Sequence, residues 1–141
     1  MAEQNNITFD IDESFSKVIE TGVVEKEIKL TDDMTIKMKP LGAGETLVAE
    51  ASEYSHGLPS DVISRMRIIA ILAKATVSVN GKPIKVDSLS DEDNYRRYVS
   101  LKANYKKLPE HLVSKLEKFY FSLLREQGNI YDKVEEKIEN F

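Results

Sequence analysis

The first readable pattern in the chain is alternation. Gly22 to Leu30 settles into period two, with Ile28 and Leu30 on one face, and Thr31-Asp32-Asp33 follows as a turn signal. Met34, Ile36 and Met38 then alternate with Thr35, Lys37 and Lys39, which predicts a second half-buried strand and an antiparallel hairpin. Pro40 ends that strand or sets it at a sheet edge. After Gly42-Ala43-Gly44 the period lengthens. Leu47, Val48, Ala51 and Tyr54 form a one-sided stripe, predicting a short amphipathic helix from Glu45 to Ser55 with Gly57 as a left-handed cap.

Asp61 to about Val77 reads as the central core helix, capped by Ser60 or Asp61 or opened by Pro59. Val62, Met66, Ile69 and Ala73 form its stripe, Ile63, Ala70 and Leu72 its flanks, and Lys74 is expected on an exposed face. Asn80-Gly81 between β-branched runs then predicts a type I′ hairpin, with Val77 and Val79 alternating against Ile84 and Val86. Ser90 is placed as the cap of a helix running to Lys107, with Asp91, Glu92 and Asp93 at its positive end. Leu108-Pro109-Glu110 restarts the chain, and Leu112, Val113, Leu116, Phe119, Tyr120, Leu123 and Leu124 recur at helical spacing. Gly128 is expected to kink or break that helix. Beyond it Ile130, Tyr131, Val134 and Ile138 continue the stripe on a terminal helix reaching about Glu139. The pattern predicts an α+β fold: an N-terminal antiparallel hairpin, four to five helices forming the core, and a second small hairpin at residues 77–86.

Charge changes the picture at one end. The chain of 141 residues has a net charge of −4. Residues 1–20 hold five acids and one base, and the remaining 121 hold 19 of each. Residues 1–21 are therefore read as an acidic, partly mobile arm, and 22–141 as a single α+β domain. A sharper alternative has the arm dock on a partner through Ile7, Phe9, Ile11 and Phe15. No net basic face balances the arm, so nucleic acid is not an expected partner. The longest apolar run, Ile68 to Ala73, is far short of a membrane span, and no secretory signal pattern opens the chain. Cysteine is absent, which excludes disulfides and thiolate metal sites.

The candidate motifs for chemistry fail one by one. Gly42-Ala43-Gly44 sits where a phosphate loop would, but Leu47 replaces the third glycine of a dinucleotide fingerprint, and Glu45 would repel phosphate. His56 and His111 lack metal-ligand spacing. Asp87 to Asp93 fails the calcium-loop pattern because Glu92 stands where glycine is required. Lys102, Lys106 and Lys107 interleave with Tyr98 and Tyr105, which reads as a solvated face whose rings pack and whose hydroxyls meet water. The expectation is a protein that is not an enzyme and uses no metal or cofactor.

Three segments together carry a family resemblance: a strand ending in Lys39-Pro40-Leu41, the run RMRIIAILAKATVSVNGKPI (Arg65–Ile84), and LPEHLVSKLEKFYFSLLREQ (Leu108–Gln127). Across roughly residues 34–127 the chain resembles the tail assembly chaperones of tailed bacteriophages and the related small baseplate-hub assembly proteins. The resemblance implies a chaperone-like tail assembly factor in the host cytoplasm, bound to a tail or baseplate component such as the tape-measure protein. The alternatives are a structural baseplate or tail subunit retained in the virion and a small adaptor protein. A chaperone must offer apolar surface not consumed by its own core. Ile130, Tyr131, Val134 and Ile138 are the expected partner-binding residues, set against folding back onto the core or forming a homo-oligomer interface.

Overall fold

A computed structural model describes Glu13 and residues 24–51, 57–86 and 89–139, with side chains described as far as Asn129. The expected acidic arm at 1–21 lies, apart from Glu13, outside the described residues, and so do Tyr54 and His56. The chain order is β1 (Lys26–Thr31), β2 (Met34–Met38), α1 (Ala43–Ala51), α2 (Ser60–Ala75), β3 (Thr76–Val79), β4 (Lys82–Pro83), α3 (Glu92–Lys107) and α4 (Glu110–Glu139). The fold is α+β.

The two hairpins join into one four-stranded antiparallel sheet in the order β1-β2-β3-β4. Ile28 pairs with Ile36, and Leu30, Ile36 and Met38 are buried, as their alternation demands. The turn between β3 and β4 has φ of 52° at Asn80 and 78° at Gly81, the left-handed pair of a type I′ turn. Asn80 also ties this turn to β2. Its Oδ1 accepts from Thr35 N–H and its own N–H donates to the Thr35 carbonyl, each at 2.8 Å.

Alternation misleads at β3. Lys37 pairs with Ser78 but Met38 pairs with Thr76, so Val77 is the extra residue of a bulge. The bulge turns Thr76 to the Met38 face. Thr76 and Ser78 are buried, while Val77 and Val79, expected inside, are only half-buried.

Burial in α2 concentrates in its last two turns, from Ile69 to Ala75, and Val62 remains 40% exposed. Pro59 occupies its N-cap position without a side-chain hydrogen bond. Lys74 corrects the sequence reading: it is 3% exposed, and its Nζ donates to the Val86 carbonyl at 2.5 Å. Its aliphatic stem lets it lie among small neighbours, Ala73 and Ala75, while the ammonium finds an oxygen. The cap of α3 is Asp91, not Ser90: the Asp91 carboxylate accepts from Asn94 N–H at 3.0 Å.

Gly128 does not break α4, which is continuous from Glu110 to Glu139. One glycine costs a helix about 1 kcal/mol relative to alanine. The flanking Leu, Arg, Glu, Gln and Lys residues are strong helix formers, and their summed propensity outweighs it.

Tyr98, Leu72, Ile36, Met38, Leu116 and Leu123 are the large side chains at the centre of the core, which lies where the sheet meets α2, α3 and α4. Tyr120 links two distant segments: its hydroxyl accepts from Leu41 N–H at 3.2 Å, just after β2. Arg65 of α2 reaches both Glu110 and Glu117 of α4. Being half-exposed, that ion pair positions the helices more than it stabilises them.

Candidate partner-binding surface

Of the four residues the sequence selects for partner binding, Ile130, Tyr131, Val134 and Ile138, the structure gives the backbone course and not the side chains. All four lie on α4. The helix contributes Val113, Leu116, Tyr120 and Leu123 to the core, with Leu124 packed against it. It then runs on for a further fifteen residues, about 22 Å at 1.5 Å per residue. Because the helix is unbroken, positions 130, 134 and 138 recur at one-turn spacing on the same rod as the core-facing residues.

The stripe of α1 faces outward, and a groove lies along α3. The stripe of α1 was expected to be its buried face, yet Leu47 is 66% and Val48 48% exposed. Ala49 alone is buried in this helix. A small residue allows close approach of α1 to its neighbour, so the large residues on either side are left outward. Leu58 and Val62, at the start of α2, are also exposed.

The missed groove runs along α3. Its deeper part is a cavity of about 340 Å³ lined by Met34, Ile36, Val79, Ile84, Leu101 and Leu108, with Asn104 and Tyr105. A shallower depression of about 310 Å³ shares Ile84, Leu101 and Asn104 with it, and ends at Arg96, Arg97 and Ser100. The groove is therefore apolar at one end and cationic at the other. Arg97 Nε donates to the Lys85 carbonyl at 3.0 Å, which fixes the cationic end against the irregular segment that follows β4. Arg96 pairs with Glu92 one turn away, both side chains being mostly exposed. The signal in the sequence was there: 97, 101, 104 and 108 are spaced four, three and four, the spacing of one helix face.

Beneath the groove Tyr105 is buried, and its hydroxyl lies 2.6 Å from Thr76 Oγ1. Thr76 donates its one proton to the Leu72 carbonyl at 2.8 Å, so Tyr105 is the donor between the two. This corrects the expectation that the hydroxyls of the tyrosine-rich stretch meet water. Burial pushes the Tyr105 hydroxyl up to about 12. Tyr120 is also raised by burial, the Leu41 hydrogen bond opposing and Glu45 adding to the rise. Tyr98 is fully buried under Lys102, whose Nζ stands 4.5 Å from the ring centre.

The residues weighed for chemistry take structural places. Glu45 Oε1 accepts from Gly42 N–H at 3.3 Å, so a carboxylate occupies the position a bound phosphate would need at the glycine turn. His111 is exposed in the first turn of α4. Among the described residues no three His, Cys, Asp or Glu side chains converge as metal ligands. No described helix is long and apolar enough to cross a membrane. No family model, curated protein or solved structure matches the chain.

Proposed function

We propose that this protein works by binding and not by catalysis: it is a chaperone-like assembly factor that holds a phage tail or baseplate component, such as the tape-measure protein, in the host cytoplasm. The observation that carries this reading is the course of α4, whose backbone continues fifteen residues past Leu124, the last of its described side chains in the hydrophobic cluster. A helix of that length, apolar at 130, 131, 134 and 138 and charged or polar at nearly every other position, has the pattern of a helix laid against another chain. The resemblance over residues 34–127 supplies the biological setting. Its three segments also meet in space, through Leu41 with Tyr120 and Arg65 with Glu110 and Glu117.

The experiment is a pair of substitutions, Val134→Glu and Ile138→Glu, in the full chain. The chain is co-expressed with the tape-measure protein of the same phage genome. Loss of the complex with thermal unfolding within 1–2 °C of the parent is the expected result. Unfolding of the variant would place the stripe in the intramolecular core. Purified virions give the second readout: an assembly factor is absent from them, whereas a constant copy number per particle would make the protein a structural subunit.

A further inference from the structure

The groove along α3 has an apolar floor, a cationic end, and an occupant of matching chemistry in the same chain. We propose that the acidic N-terminal segment, residues 1–21, docks in this groove within the same molecule, with its apolar side chains on the floor and its carboxylates toward Arg96 and Arg97.

Three observations converge on that occupant. The first is charge. Residues 1–20 carry −4 and α3 carries five bases against two acids, a net +3, while the rest of the chain holds 17 acids and 14 bases. Opposite fields of that size attract at short range and are screened beyond about 8–10 Å at physiological salt. The Arg96–Glu92 pair is exposed and therefore weak, so Arg96 can exchange its partner for an incoming carboxylate.

The second is pattern. Ile7, Phe9, Ile11 and Phe15 are interleaved with Asp10 and Asp12, which is the mixture of large apolar and anionic groups that a greasy groove with an arginine end selects. Asn104, shared by both parts of the groove, offers an exposed amide to an incoming backbone.

The third is the tether. The described chain begins again at Val24, and two residues later β1 starts. Ile28 of β1 pairs directly with Ile36, which lines the groove floor. Ile28 is thus one strand spacing, about 4.8 Å, from the groove floor, and Lys26, where the sheet starts, pairs with Met38 two residues along from Ile36. A segment of 23 residues can extend to roughly 75 Å, so reach imposes no limit. A linker so short keeps the local concentration of the arm in the millimolar range, and even a weak intrinsic affinity then fills the groove.

A photo-crosslinking phenylalanine analogue placed at Phe9 of the full chain tests this. Isotope-labelled and unlabelled copies are mixed before irradiation and the cross-linked peptides are mapped. The expected cross-links fall between Ile84 and Leu108, join peptides of a single isotopic kind, and do not change on tenfold dilution. Their yield drops severalfold in 1 M salt, and also with Asp10→Lys and Asp12→Lys. Cross-links to the exposed face of α1, cross-links joining labelled with unlabelled copies, or reaction with solvent alone would each overturn the proposal.

Discussion

Asn80 and Gly81 show how much two residues can determine. Their positive φ values fix the turn, the turn fixes the register of β3 with β4, and the Asn80 amide fixes both to Thr35. A β-branched side chain at Gly81 is strained whatever the space around it, and the space there is open. Gly81→Val should lower stability by about 1–2 kcal/mol, read as a shift of the urea midpoint at constant slope. Tyr105 makes a different kind of prediction. Its folded-state pKa is raised from 10.0 to about 12, so the fold favours the neutral phenol. That contribution is complete below pH 10 and is lost as pH rises from 10 to 12, by roughly 2–3 kcal/mol in all. Urea midpoints at pH 9 and pH 11.5 should differ accordingly, and Tyr105→Phe should flatten much of the difference, Tyr120 supplying the remainder. Lys74 marks the limit of reading single residues. Nothing in its neighbours along the chain says that a carbonyl from Val86 will stand within reach of its ammonium.

At the scale of elements, the legible ones were those whose pattern is settled locally. The first hairpin, the Asn-Gly turn, α3 ending at Lys107 and the restart at Pro109 are all local signals, and all stand where the chain announces them. What could not be read depends on a partner element. The bulge opposite Lys37 reverses the facing of Thr76, because pairing with β2 and not the sequence of β3 chooses which residue is extra. The outward stripe of α1 follows from close approach at Ala49, a contact that hydrophobic periodicity underweights because it counts large side chains. The groove is illegible for the same reason, since Met34, Ile36 and Val79 of its lining come from the sheet. Gly128 alone cannot end a thirty-residue helix whose other residues favour it. A Cβ there would meet nothing within 4 Å, so Gly128→Ala should strengthen α4 by about 0.5–1 kcal/mol. Amide exchange over residues 125–139 should slow two- to fivefold, and unchanged exchange would mean that another feature limits the helix there.

For the whole molecule, the sheet has two free margins, and each is closed by chemistry. At one margin Lys115 of α4 sends its ammonium to the carbonyls of Lys29 and Leu30, at 2.9 and 3.3 Å. At the other, β4 is only two residues long and one of them is Pro83, which has no N–H to offer. An open strand edge is a template on which further chains add, and the end product is a fibre or a precipitate. Lys115→Val should leave the fold in place yet raise light scattering of concentrated samples over hours at 37 °C, with a matching rise in thioflavin fluorescence. Scattering equal to the parent would assign the protection to α4 as a cover and not to the lysine. The stopped margins of this sheet oppose that edge-to-edge growth while Leu47 and Val48 of α1 stay exposed.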